Sequence, residues 1–133
     1  MIRQFHGIYT IQNKWRWKSL FYNVYGQYAT HIVGNILFHS VPYLKMYDPA
    51  SLEYEEYDKL GTSASAGCIR LTVEDAKWIY DNCQLDTKVE FYQDENPGPF
   101  GKPMLQKISD NVDLRNWDPT DPDENNPWHK EQK

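Results

Sequence analysis

A cysteine that follows a run of small residues is the first feature of this sequence that could carry out covalent chemistry. Cys68 comes directly after Ser-Ala-Ser-Ala-Gly at residues 63–67. Small side chains let backbone N–H groups approach a reacting carbonyl, and glycine tolerates the sharp turn that such a site needs. The N–H groups of Gly67 and Cys68 could then stabilise an oxyanion beside the thiol. Composition alone favours the alternative, a flexible loop that carries a buried cysteine.

A histidine at the end of an apolar run is the candidate base. The run Asn-Ile-Leu-Phe-His-Ser-Val-Pro at residues 35–42 predicts a buried strand that ends at His39. A histidine at the end of a strand is more often structural, but paired with a cysteine it can take the thiol proton and hold an ion pair. His39 would later protonate the departing amine, and Ser40 would fix the imidazole through its side chain or its carbonyl.

The elements that must position these groups are mostly strands. Strands are predicted at residues 8–11, 28–33, 36–39 and 87–92 from β-prone or alternating apolar residues. The aromatic and basic residues at 14–17, with the aromatic residues at 21, 22, 25 and 28 that follow them, are interpreted as a hydrophobic wall beside a cleft. Residues 43–61 alternate tyrosines with acidic residues, which predicts an exposed loop, either a plain connection or a lid over the site.

One helix is predicted directly after the cysteine loop. Thr72 is a suitable N-cap, and Asp75 stands three positions later as its capping-box partner. One apolar stripe contains Val73, Ala76, Tyr80 and Cys83. This stripe makes Cys83 a predicted core residue. A helix of about ten residues would separate the two cysteines by ~15 Å, whereas a disulfide requires Cα atoms within ~7 Å, so Cys68 is predicted to be a free thiol.

Composition narrows the class of protein. With 133 residues, a net charge of −5 and a pI near 5.3, the chain is expected to form one domain and not to bind nucleic acid as its main partner. No apolar run approaches the ~20 residues of a membrane span, and residues 1–6 do not resemble a signal peptide. A zinc site built from Cys68, His39 and either His31 or His6 lacks the usual ligand spacing.

The sequence around both candidate residues resembles a known family. Ser-Ala-Gly-Cys-Ile-Arg-Leu at residues 65–71 resembles the [Ser/Thr]-His-Gly-Cys-[Val/Ile]-Arg signature of the L,D-transpeptidase (YkuD-like) catalytic domain. Residues 38–43 are similar to the upstream histidine segment of that family, and residues 75–80 to its following helix. The resemblance implies a mainly β, sandwich-like fold with one main α-helix after the cysteine, apparently lacking the N-terminal strands.

The same resemblance implies a domain organisation. Residues 1–104 would form the catalytic domain, N-terminally short. Residues 105–133 would form an acidic tail rich in Pro, Asp and Asn that wraps the surface or is disordered, with Trp117 and Trp128 as anchors. Missing strands would leave exposed sheet edges, which could pair two copies into a homodimer.

The implied activity is the formation of 3→3 cross-links in bacterial peptidoglycan, outside the cytoplasmic membrane. Cys68 would attack the third residue of a donor stem peptide and release D-alanine, and a neighbouring stem's amine would resolve the thioester. The family needs no metal or organic cofactor, and carbapenems acylate its cysteine. Arg70, Ser65 and Tyr28 are candidates for substrate binding or loop support, and a loop-supporting role is favoured for Arg70 over contact with a stem carboxylate.

Two alternatives stay open at this point. Water could resolve the thioester, which would make the protein an L,D-carboxypeptidase with the same site. The family usually has histidine where this chain has Ala66. That departure, with the missing strands, motivates the second alternative, a catalytically weak peptidoglycan-binding domain.

Overall fold

The computed structural model describes residues 7–62, 68–91 and 105–131, and over these ranges the chain is mainly β with one main helix. Its strands are β1 (Gly7–Thr10), β2 (Asn13–Ser19), β3 (Tyr25–Val33), β4 (Ile36–Ser40), β5 (Ile69–Leu71) and β6 (Lys88–Phe91). Its α-helices are α1 (Tyr54–Tyr57), α2 (Val73–Asn82) and α3 (Trp128–Glu131), with a 3₁₀ turn at Phe21–Asn23. The predicted fold class is confirmed. No helix within the described ranges is long and apolar enough to cross a membrane.

The central sheet has the strand order β2-β3-β4-β5. The first two pairings are antiparallel, whereas β5 runs parallel to β4. A parallel neighbour requires a crossover of a dozen or more residues, and the segment containing α1 provides it. A second sheet pairs β1 with β6 antiparallel, with Tyr9 opposite Val89. The strands predicted at residues 8–11, 28–33, 36–39 and 87–92 correspond to β1, β3, β4 and β6.

Helix α2 begins where the sequence predicts. The Thr72 hydroxyl accepts a hydrogen bond from the Asp75 N–H at 3.2 Å, and Val73 and Ala76 are fully buried beneath the first turns. The prediction of Cys83 as a core residue is wrong, because the helix ends at Asn82 and Cys83 has extended backbone angles that take its half-buried side chain off the apolar stripe. Both cysteines are free, as predicted for Cys68.

The segment at residues 43–61 is not a wholly exposed loop. Tyr43, Leu52 and Tyr57 are at most 2% exposed and belong to the main hydrophobic cluster. The expectation of a solvated connection is therefore wrong for these three residues. Tyrosines alternating with carboxylates can lie on the surface or turn inward, and here α1 carries Tyr57 into the core while its glutamates stay at the surface.

The C-terminal segment is also part of the core. Ile108, Leu114 and Trp128 are buried in the same cluster, and the Trp128 indole N–H lies 2.9 Å from the Leu114 carbonyl and 3.0 Å from that of Trp117. Residues 105–131 contain α3 and turns but no strand. The expectation of a disordered or merely surface-wrapping tail is therefore wrong for these residues, since their apolar side chains complete the core.

Candidate active site

The parallel pairing of β4 with β5 brings the candidate nucleophile and base to one face of the sheet. His39 lies opposite Arg70 in this register, and Cys68 precedes Arg70 by two positions. Because side chains alternate along a strand, Cys68, Arg70 and His39 share a face. All three line one open groove of about 790 Å³. The structure thus places together the two residues that the sequence proposed for thiol chemistry.

The His39 ring is held by the backbone that follows it. Its side chain is buried, and Nδ1 donates a hydrogen bond to the Ser40 carbonyl. A carbonyl oxygen can only accept, so the neutral imidazole carries its proton on Nδ1 and its lone pair on Nε2. The Ser40 hydroxyl has a different task, because it accepts the Gln27 backbone N–H at 2.9 Å and donates to the Val41 carbonyl at 2.9 Å.

Glycine at position 26 lets β3 approach the imidazole. A Cβ atom at Gly26 would lie 3.4 Å from both Cβ and Nδ1 of His39, and 3.2 Å from Cδ1 of Leu20. The contact with Leu20 is tighter than most packing contacts allow, whereas the two with His39 are ordinary van der Waals distances. Gly26 therefore places β3 directly beside the His39 side chain.

Burial controls the charge of both groups. Burial lowers the pKa of His39 to about 4, and the Arg70 charge lowers it further, whereas the hydrogen bond that His39 donates to the Ser40 carbonyl raises it. Burial also raises the pKa of Cys68, although a backbone hydrogen bond from Leu37 and the Arg70 charge oppose this. Both shifts favour a neutral thiol and a neutral imidazole at neutral pH, whereas the sequence had suggested that the two could hold an ion pair. The Sγ atom lies 3.1 Å from the Asn35 carbonyl oxygen, to which it donates.

Arg70 connects β5 to α1. Its guanidinium lies 2.8 Å from Oε1 of Glu56, and the Lys59 ammonium lies 2.6 Å from Oε2 of the same carboxylate. The hydrogen bond from Lys59 and the one from Arg70 lower the pKa of Glu56. This geometry favours the loop-supporting interpretation of Arg70, since its charge is already matched by a carboxylate of the same chain.

Tyr28 does not join this group. It packs on helix α2, with its ring centroid 5.3 Å from that of Tyr80, and the Arg16 guanidinium lies 4.0 Å from the ring centroid. It is not among the residues that line the groove. Ser65 and Gly67, the other two predicted site residues, lie outside the described residues. The interpretation of residues 43–61 as a lid stays a prediction.

The far wall of the groove comes from β2 and the turn that follows it. Trp15 and Lys18 line the groove from β2, so the expected aromatic wall lies beside the site. The turn adds Phe21 and Tyr22, which are 67% and 92% exposed. The sequence had grouped these two with the aromatic wall, but it had not predicted the turn that carries them. The available signal was Phe-Tyr-Asn between two strand-like runs, since asparagine favours the left-handed backbone of tight turns, and Asn23 has φ 57°.

The arrangement contains the protein groups that acyl transfer through a cysteine would require. A thiol and a fixed imidazole with an available lone pair share a groove that is open to a ligand. Among the residues that the structure describes, no group of three or more His, Cys, Asp or Glu side chains could hold a metal ion.

Comparisons with known proteins identify relatives of part of the chain. The sequence profile of the L,D-transpeptidase catalytic domain (YkuD) matches residues 5–91. A Bacillus subtilis (strain 168) protein named "Putative L,D-transpeptidase YciB" is 55% identical over 56 residues, which is 42% of this chain and 27% of the relative.

Two solved structures resemble the fold. A fused Zn-dependent amidase/peptidase/peptidoglycan-binding domain-containing protein from Clostridium acetobutylicum is 35% identical, with a TM-score of 0.47 over 67% of this chain and 34% of that one. An L,D-transpeptidase from Stackebrandtia nassauensis is 18% identical, with a TM-score of 0.49 over 72% of this chain and 40% of that one. The chain thus spans well under half the length of each of these relatives.

Proposed function

This chain belongs to the L,D-transpeptidase catalytic domain family, and we propose that it is a cysteine acyltransferase that forms 3→3 cross-links between peptidoglycan stem peptides. The observation that carries the proposal is the shared groove of Cys68 and His39, in which the Nδ1 proton is engaged by Ser40 and Nε2 is the proton acceptor. Peptidoglycan lies outside the cytoplasmic membrane, so the proposal places the site of action there.

In the acylation step, the Cys68 sulfur attacks the carbonyl carbon of the third residue of a donor tetrapeptide. The thiol proton moves to Nε2 of His39, and a new C–S bond forms. Backbone N–H groups at the cysteine, including its own, stabilise the oxyanion. The C–N bond to the terminal D-alanine then breaks, and His39 gives its proton to the departing amine. The products are a thioester and free D-alanine.

The neutral resting pair determines the order of events. An imidazole with a pKa of about 4 and a thiol with a raised pKa do not exchange a proton before substrate arrives. Proton transfer therefore accompanies the attack on the carbonyl instead of preceding it. The Arg70 charge favours thiolate and disfavours imidazolium, so it helps sulfur become the nucleophile and helps His39 return the proton.

In the second step, the side-chain amine of a neighbouring stem's diamino acid attacks the thioester. His39 takes a proton from this amine and delivers it to the departing sulfur, which restores the thiol. The steps use only protein groups. Residues of β2 and of the Phe21–Asn23 turn line the groove, and an acceptor peptide would lie along them beside the donor.

The test is intact-mass spectrometry of the full chain after incubation with a carbapenem and, separately, with donor tetrapeptide. Wild type and Cys83→Ala should form the carbapenem adduct, whereas Cys68→Ala should not. With donor alone, release of D-alanine and a cross-linked dimer of stems is expected. If tripeptide forms and no cross-linked dimer is found, water resolves the thioester, and the protein is an L,D-carboxypeptidase. No adduct and no D-alanine from protein with native circular dichroism would overturn the proposal and favour the binding-domain alternative.

Pairing of two copies through sheet edges stays a prediction. Strands β2 and β5 end the central sheet within the described part of the chain. Sedimentation velocity over a hundredfold range of protein concentration would reveal a dimer. A monomer mass at every concentration would exclude the homodimer.

A further inference from the structure

The groove differs in charge from the chain that forms it. The chain has 19 acidic and 14 basic residues. The described residues that line the groove nevertheless include Lys18 and Arg70 and no Asp or Glu. A cleft with one sign of charge raises the local concentration of ligands of the opposite sign. The groove is therefore suited to an anionic ligand.

The two cations of the groove are not equivalent. Arg70 already contacts the Glu56 carboxylate at 2.8 Å. Lys18 forms no ion pair with any carboxylate of the described residues. Its ammonium instead lies 4.2 Å from the centroid of the Trp15 ring. A lysine ammonium has three N–H donors, and an aromatic face occupies none of them fully, so Lys18 is the cation with capacity for a ligand.

The position of Lys18 fits a contact with the acyl donor. Lys18 pairs with Gly26 on β3, and a Cβ atom at Gly26 would lie 3.4 Å from Cβ of His39 on β4. Two strand spacings, together ~10 Å, therefore separate the backbone of Lys18 from that of His39. An extended peptide advances ~3.3–3.6 Å per residue. A ligand group held by Lys18 is thus within about three residues of a bond that His39 serves.

We infer that Lys18, supported by the Trp15 ring, is the carboxylate-binding residue of this groove and selects donor peptides that carry a carboxylate near the scissile bond. The inference rests on the proposed function for the nature of the donor. The carboxylate has two possible sources, the C-terminus of the leaving residue and a side-chain or α-carboxylate within the stem. In both cases the ammonium donates charge-assisted hydrogen bonds to carboxylate oxygens.

A first experiment tests the cation without requiring turnover. The full chain carrying Cys83→Ala has Cys68 as its remaining thiol, and its alkylation by anionic iodoacetate is compared with that by neutral iodoacetamide. Lys18→Gln should lower the iodoacetate-to-iodoacetamide rate ratio about 3- to 10-fold at low salt, and 0.5 M salt should reduce the difference. Lys18→Arg should retain most of the wild-type ratio.

Lys45→Gln is the matched control, because Lys45 is exposed and does not line the groove. It removes the same charge from the chain and should leave the ratio unchanged. An equal fall in both variants would show an effect of net charge alone and would overturn the inference. An unchanged ratio in Lys18→Gln would overturn it as well. Thermal unfolding of each variant establishes that the compared proteins are folded.

A second experiment identifies the carboxylate. Donor tetrapeptides with a C-terminal amide, or with each internal carboxylate amidated, are compared with the free acid by KM and kcat. For the free-acid donor, Lys18→Gln should raise KM about tenfold, with a smaller change in kcat. In wild type, amidating the carboxylate that Lys18 binds should raise KM as well, and this effect of amidation should be absent in Lys18→Gln. If every amidation has the same effect in wild type and Lys18→Gln, the inference is wrong. A reduced alkylation ratio without any D-alanine release would leave Lys18 as an anion site and refute only the transpeptidase proposal.

Discussion

The pH dependence of Cys68 alkylation tests the neutral thiol–imidazole pair directly. Burial lowers the pKa of His39 to about 4 and raises that of Cys68. Small alkylating reagents react with the thiolate, so their rate follows the thiolate fraction. In the Cys83→Ala background, the iodoacetamide rate should rise about tenfold for each pH unit between pH 5 and pH 8, without a plateau.

The expected alkylation rate at pH 7, relative to the rate at high pH, follows from the ionisation of the thiol alone. A thiol with an ordinary pKa of ~8.5 is about 3% ionised at pH 7. Since burial raises the pKa of Cys68, its thiolate fraction at pH 7 is lower still, and the rate there should be at least ~30-fold below the limit reached at high pH. A thiolate–imidazolium pair would give a rate that is already level near pH 6.

The variant His39→Gln separates the charge of the imidazole from its role as a base. Because neutral His39 places no positive charge beside the sulfur, His39→Gln should leave the alkylation profile nearly unchanged. Carbapenem acylation requires proton transfer, so the same variant should slow it about 100-fold or more. Rates come from acid-quenched samples analysed by intact mass. A wild-type plateau between pH 6 and pH 7 that disappears in His39→Gln would refute the neutral pair.

Three further predictions concern the support of the site. The pKa of His39 is about 4 in the folded state and ~6.5 in the unfolded chain, so the unfolded state binds the proton more readily. The stability that is present above pH 6.5 is therefore lost as the pH falls, and the loss is about 3 kcal/mol at pH 4. Urea unfolding at pH 7 and pH 4 should show this loss in wild type and a smaller one in His39→Gln, and equal losses would contradict it. Thr72→Ala removes the α2 cap and should lower the free energy of unfolding by about 1 kcal/mol, with Cys68 alkylation unchanged; a loss of reactivity would contradict a purely local role. Asp121→Ala removes the 3.0 Å acceptor of the buried Gln27 amide and should lower the free energy of unfolding by about 1–3 kcal/mol, whereas Asp113→Ala, a control at an exposed position, should have a smaller effect.

The sequence predicted those helices and strands whose ends are set by contacts between residues close together in the chain. Helix α2 follows from the hydroxyl of Thr72 and the N–H three residues later, and both partners are in the sequence window that reveals them. The strand ending at Ser40 follows from an apolar run and a proline. Strand β5 was not predicted, because it has three residues and its pairing with β4 depends on a partner distant in the chain.

The charge state of the site and the residues of its wall also depend on partners that are distant in the chain. Residue types identified Cys68 and His39 as a pair, but the preference of His39 for its neutral form depends on burial that only the assembled sheet creates. Lys18 was not singled out, because its position beside the groove depends on β2 lying across β3 from β4. Tyr43 and Tyr57 were misjudged because a tyrosine among carboxylates has no local signal that decides between surface and core.

The support of the imidazole extends beyond the matched family region, which ends at residue 91. Asp121 is 2% exposed and accepts a hydrogen bond from the Gln27 side chain, while the Gln27 backbone N–H binds the Ser40 hydroxyl. The Ser40 carbonyl in turn holds Nδ1 of His39. The buried carboxylate of Asp121, in the C-terminal segment, thus holds Gln27. Gln27 in turn contacts Ser40, whose carbonyl orients His39. The family match includes the cysteine and the histidine, whereas the position of that histidine depends on residues 105–131 of this chain as well. Truncation at residue 104 should therefore impair acylation by carbapenem even though Cys68 and His39 remain.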